Sequence, residues 1–179
     1  MCIICIESIE TLIPLQELRC NNCPVLTAIP STMINLRILD CSNCPSLTLI
    51  PDTLVNLEEL YCYYCRTLTS IPATMVNLQM LSCSYCPALT LIPKTFVNLE
   101  ELYCSYCFNL TSIPNTLGKL HTMNCQGCNS LLYVPRHVVS KLFFKEVKNR
   151  RSAMRTEVFT AVEAVILPEI AQIIANYCI

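Results

Sequence analysis

From Cys20 to Cys128 the sequence returns to the same frame with a constant 21-residue period, without an insertion or deletion. Cys20/Cys23 recurs as Cys41/Cys44, Cys62/Cys65, Cys83/Cys86, Cys104/Cys107 and Cys125/Cys128. Around each pair stands L-x-x-[LM]-x-C-x-x-C-x-x-L-x-x-[IV]-P, seen almost pure in LEELYCYYCRTLTSIP (57–72) and LEELYCSYCFNLTSIP (99–114). A fixed period in the twenties constrains the chain more than any other feature. One such unit cannot bury its apolar face alone, so the units must stack and each coil must cover the next.

Within a unit, L-x-x-L-x-C alternates apolar and variable residues, which predicts a short strand. Leu60 and Cys62 then point inward, with Leu57 packing at the strand's start, while Glu59, Tyr61 and Tyr63 point outward. The chain turns at Cys65, and Leu68 and Ile71 return to the interior. A proline closes every unit (Pro30, Pro51, Pro72, Pro93, Pro114, Pro135). Its ring removes the N–H and restricts φ, so this side of the coil is expected to be extended or a single 3₁₀ turn. Identical strands stacked about 4.8 Å apart make one parallel sheet on the opposite side.

This frame resembles the leucine-rich repeat, L-x-x-L-x-L-x-x-N/C-x-L, with the first cysteine at the third leucine and the second at the asparagine position. The resemblance covers about residues 9–135. It implies an α/β repeat fold: a leucine-rich repeat solenoid with a parallel sheet on one face and an extended or 3₁₀ return side. The narrower form C-x-x-C-P-x-L-T-x-I-P is similar to cysteine-rich repeats of amoeba-infecting giant DNA viruses. A second period overlies the first, since units ending LTLIP alternate with units ending LTSIP, as expected if a 42-residue pair was duplicated.

The expected organisation is a degenerate N-terminal coil or cap over 1–14, about six repeats over 15–135, and a helical C-terminal cap over 136–179. Cys2-x-x-Cys5 and Ile13-Pro14 mark the first, although the step from Cys2 to Cys20 falls short of the repeat interval. Beyond Pro135, Val138, Leu142, Val147, Val158, Val162, Val165 and Ile166 follow helical spacing, and Pro168-Glu169 suits a helix first turn. The same end, Leu167-Pro168-Glu169-Ile170, resembles the opening helix of an F-box but lacks the spacer after the proline, and is read as a coincidence or a remnant.

Composition narrows compartment and partners. The start has no basic region and carries Glu7 and Glu10, so no secretory signal is expected, and no apolar run is long enough to span a membrane. Fifteen cysteines in such a chain point to a reducing, cytoplasmic setting (host cytoplasm or virion if viral) more than to a disulfide framework. Residues 1–135 carry nine acids and five bases; residues 136–179 carry four acids and seven bases, including Lys141, Lys145, Lys148, Arg150, Arg151 and Arg155. Neither imbalance calls for nucleic acid.

Adjacent C-x-x-C pairs, such as Cys20/Cys23 with Cys41/Cys44, also fit a zinc-ribbon spacing. Zinc needs four sulfurs converging on one point, whereas this frame strings the thiols into two parallel ladders. No metal or cofactor is therefore assigned. A redox pair needs its first cysteine at a helix N-terminus; these follow a strand. With only Gly118 and Gly127, no phosphate-cradling loop can be written, and His121 and His137 lack an Asp or Ser partner at recognisable spacing.

The outward strand positions and the turn after them remain. Glu59, Tyr61, Tyr63, Tyr64, Tyr85, Glu101, Tyr103 and Tyr106 gather there, including six of the eight tyrosines. Tyrosine supplies amphipathic contact area and anchors interfaces, so these are the candidate protein-binding residues. The expected function is a non-enzymatic leucine-rich repeat module that binds or scaffolds proteins, with no small-molecule substrate. The alternatives are a viral structural component packed among virion proteins, and a zinc or redox protein using the C-x-x-C thiols.

Overall fold

A computed structural model describes residues 13–135 of the chain, together with Ile4 and Val138. The expected N-terminal coil over 1–14 and helical cap over 136–179 lie almost wholly outside the described residues.

Six three-residue strands follow one another at the repeat interval: β1 (Glu17–Arg19), β2 (Ile38–Asp40), β3 (Glu59–Tyr61), β4 (Met80–Ser82), β5 (Glu101–Tyr103) and β6 (Thr122–Asn124). They form a single parallel sheet in sequence order, each residue aligned with its equivalent in the next coil, as Leu39 with Leu60 and Leu60 with Leu81. The pairing continues beyond the strands. The amides of Cys41, Cys62, Cys83 and Cys104 donate to carbonyls of the next coil at 2.7–2.8 Å. Two residues later Asn43, Tyr64, Tyr85 and Tyr106 do the same at 2.7–2.9 Å.

Inside, each frame position becomes a column. Leu57, Leu60, Cys62, Cys65 and Leu68 are fully buried and Ile71 nearly so; the inner coils repeat the pattern, while Leu15, Met123 and Val134 in the end coils are half-buried. A further column precedes the strand: Met33, Leu54, Met75, Phe96 and Leu117, all fully or almost fully buried. The return side is built from turns, with i to i+3 bonds such as Met33 N–H to Pro30 O (3.3 Å) and Leu36 N–H to Met33 O (3.2 Å), and isolated parallel bridges such as Ala28 with Leu49.

Corner carbonyls that no ladder amide reaches are taken by side chains, which explains two further recurring residues. Asn35, Asn56, Asn77 and Asn98 donate Nδ2 to the carbonyls of Ile13, Ile34, Val55 and Val76 at 3.0–3.2 Å. Thr53, Thr74, Thr95 and Thr116 donate Oγ1 to carbonyls of the preceding coil at 2.5–2.6 Å. These bonds lie at the exposed corner of the coil, where they tie each coil to the one before it.

The two cysteine positions do different work. The thiols of Cys44, Cys65, Cys86, Cys107 and Cys128 donate to the carbonyls of Cys20, Cys41, Cys62, Cys83 and Cys104 at 2.9–3.3 Å. Each such bond runs from the second cysteine of one coil to the first of the coil before. The second thiol accepts as well, as when Cys23 N–H meets Cys44 Sγ at 3.4 Å. The first thiols have poorer acceptors: Cys41 reaches the Tyr61 carbonyl only at 3.5 Å, and at Cys83 the neighbouring Cys107 thiol together with burial pushes the pKa well up. Serine should therefore be tolerated at Cys86, where a carbonyl awaits its hydroxyl, and penalised at Cys83. We expect Cys83→Ser to cost about 1–3 kcal/mol and Cys86→Ser less than about 1 kcal/mol, compared by urea denaturation. Equal losses would mean that the carbonyl bonds contribute nothing.

Candidate functional site

The outward face of the sheet presents two alternating kinds of coil. In β3 and β5 the pattern is Glu-Leu-Tyr, and the leucine is buried while the flanking residues are half-buried. Residues two apart on a strand share a face. Accordingly Tyr61 Oη donates to Glu59 Oε2 at 2.8 Å, and Tyr103 Oη donates to Glu101 Oε2 at 2.8 Å. Burial and the hydrogen bond to Glu59 push the Tyr61 phenol up to about 12, and the bond to Glu101 raises Tyr103. Both phenols thus hold their protons as donors. Between the pairs β4 contributes Met80 and Ser82.

The neighbouring carboxylates are partly engaged from outside. Arg37, one coil earlier, binds Glu58 through both Nε (3.0 Å) and Nη2. His121, one coil later, stands 3.6 Å from Glu100.

Beyond the strands, the residue before the second cysteine has a left-handed backbone in each coil: Asn22, Asn43, Tyr64, Tyr85 and Tyr106 at φ 54–61°, and Gly127 at 72°. Asparagine and glycine visit this region readily, whereas a tyrosine there costs roughly 1–2 kcal/mol. The tyrosines stack. Tyr64 and Tyr85 have ring centroids 4.4 Å apart and nearly parallel planes, and Tyr85 and Tyr106 follow at 4.7 Å. Tyr63 meets Tyr64 edge-on at 6.0 Å, and Phe108 meets Tyr106 edge-on at 6.3 Å. The ladder ends on Gly127, where the Tyr106 ring fills the space a Cβ would need, its nearest carbon only 2.5 Å from that position. At the other end Asn43 Nδ2 donates to Asn22 Oδ1 at 2.8 Å, so the column changes from an amide ladder to an aromatic one.

The eight candidate residues therefore separate into two groups. Glu59, Tyr61, Glu101 and Tyr103 form two carboxylate–phenol pairs on the sheet face. Tyr64, Tyr85 and Tyr106 form one stack along its edge, with Tyr63 beside it. Reading from sequence missed Phe108 and the left-handed turn. The signal for the turn was present: Asn, Asn and Gly share the column with the three tyrosines.

Among the described residues, no group of three or more His, Cys, Asp or Glu side chains could hold a metal ion, and no helix is long and apolar enough to cross a membrane. The described cysteines carry reduced thiols.

The Leucine Rich Repeat family model matches residues 35–57 and 98–120, two stretches that each run into a strand or through one. The leucine-rich repeat domain of the type III effector XopL superposes on 65% of this chain with a TM-score of 0.50 and 20% identity. The fold is a leucine-rich repeat solenoid. A leucine-rich repeat protein of Leptospira interrogans gives the same TM-score over 74% of the chain at 22% identity. The chain spans about half the length of these solved structures, 54% and 42% respectively. No curated protein matches the sequence. Leucine-rich repeat domains are typically non-enzymatic scaffolds for protein interaction, and the sheet with its flanking turn is where this repeat concentrates its variable side chains.

Proposed function

We propose that this protein is a non-catalytic recognition module that holds a protein partner against its sheet face and tyrosine edge. The observation carrying this reading is the aromatic ladder. Tyr63, Tyr64 and Tyr85 each remain more than a third exposed despite stacking, and a contiguous exposed aromatic patch is characteristic of an interface. Glu59, Tyr61, Glu101 and Tyr103 supply the adjoining polar contacts. The setting is a reducing one, such as the cytoplasm, because forming disulfides would break the thiol–carbonyl bonds between coils.

The ladder's own column provides the test. Tyr64→Asn with Tyr85→Asn removes both rings but places at each site a residue the column already carries at Asn22 and Asn43. Peptides selected from an unbiased displayed library should lose at least about tenfold in affinity for this variant, as expected for interface aromatics. They should keep their affinity for Val76→Ser on the opposite corner, and the melting temperature should change little. Selected peptides indifferent to the tyrosines, or a selection yielding none, would overturn the reading.

A second reading, a structural protein of a virus particle packed among its neighbours, is favoured by one feature. Ile13, Ile34, Val55, Val76 and Val97 form an aliphatic row at the repeat interval, each between 37% and 49% exposed. Such a row suits lateral packing. Absence of the protein from purified particles, by quantitative mass spectrometry, would remove it.

A further inference from the structure

We propose that the face from β3 to β5 binds an extended, basic peptide segment whose arginine or lysine side chains, at positions i and i+3, seat on the Glu59–Tyr61 and Glu101–Tyr103 pairs. This rests on the recognition reading above and names the chemistry of the partner.

Charge is the first argument. Across this face the ionised side chains are Glu58, Glu59, Glu100 and Glu101, all acidic. Arg37 and His121 approach Glu58 and Glu100 from the flanking coils, which leaves the inner pair. Glu59 and Glu101 each accept from a neutral phenol through Oε2, and a phenol does not neutralise a carboxylate. A guanidinium or ammonium group on the remaining oxygen would do so, with a tyrosine ring alongside to receive it.

Spacing is the second, independent argument. The pairs lie two coils apart, about 10 Å at ordinary strand separation. A polyproline II segment advances about 9 Å in three residues and returns to the same side, so its positions i and i+3 match the pairs. A β-strand repeats its side at about 7 Å and does not match. Half-buried Met80 lies between the pairs to meet the intervening residues. The third argument is the tyrosine ladder along the edge, since aromatic-lined surfaces are the usual docking sites of such segments.

The experiment uses the full chain and labelled peptides containing Arg-Pro-Pro-Arg, Arg-Pro-Arg or Glu-Pro-Pro-Glu, followed by fluorescence anisotropy at low and raised salt. The first peptide should bind at least about tenfold more tightly than the other two, weaken with salt, and lose about tenfold on Glu59→Gln with Glu101→Gln. Equal binding of the three peptides, or no loss in the glutamine variant, overturns the proposal. If library-selected peptides still depend on Tyr64 and Tyr85 but carry no basic pair, only this inference falls. If nothing depends on those tyrosines, the recognition reading falls with it.

Discussion

Replacing Phe96 with alanine should destabilise the protein by about 3–5 kcal/mol, the largest loss expected from any single substitution in the array. Phe96 is the bulkiest fully buried side chain. Its column holds Met75 on one side and Leu117 on the other, so a void there is walled by coils that their own hydrogen bonds fix in place. The Asn98 and Thr95 side chains pin the same corner to the coil before, which limits collapse into the space. Phe96→Leu makes the control. Leucine already occupies the column at Leu54 and Leu117, so that change should cost only about 1 kcal/mol, in the range of small volume changes. Urea unfolding of both variants checks the contrast. Alanine and leucine variants of equal stability would show that the coils close up, and that the column is not held at a fixed width.

The second large effect is on alkaline stability. Burial pushes the Cys44 thiol up to about 11. Hydrogen bonding to the thiols of Cys65, Cys86 and Cys128, together with burial, drives Cys41, Cys62 and Cys104 well above the ordinary range. In each of these four the folded protein favours the neutral thiol. The same pairing pulls Cys65, Cys107 and Cys128 down, but a thiolate there would lose the bond its S–H donates to the carbonyl of the preceding coil, so the raised thiols set the sign. The folded state therefore binds more protons than the unfolded state once pH passes the unfolded value. The stabilisation is whole below pH about 8.5 and is lost as pH rises towards about 11 and beyond. Because one coil's unfolding uncovers its neighbours, the losses reinforce one another along the stack. The melting temperature should thus fall steeply between about pH 9 and 11, with thiolate absorbance rising at unfolding and not before it. A melting temperature flat across that range would show that the thiols are not held neutral by the fold.

Much of this arrangement is legible in the repeat. Leu60, Cys62, Cys65, Leu68 and Ile71 are read as inward from alternation and recurrence, and all lie in the core. Glu59, Tyr61, Glu101 and Tyr103 are read as outward on the strand and do flank a buried leucine on the sheet face. A period-two pattern reports the side of the backbone a residue takes, and stacking then repeats that choice in every coil. The return side is less legible. Proline excludes a regular sheet there, but the turns depend on Thr and Asn donors reaching back into the preceding coil, which no pattern within one unit reveals.

The sequence by itself determined the solenoid, its parallel sheet and its inward columns, because a 21-residue unit with one apolar face has only its neighbours to bury against. Tertiary structure alone decided how the paired cysteines and the tyrosines are used. The second thiol reaches across the coil boundary to the carbonyl of the first cysteine in the coil before, a lateral offset set by how the coils stack. The sign of φ before that cysteine turns Tyr64, Tyr85 and Tyr106 into one stack. Alternation along a strand carries no information about either, since both follow from the placement of one coil on the next.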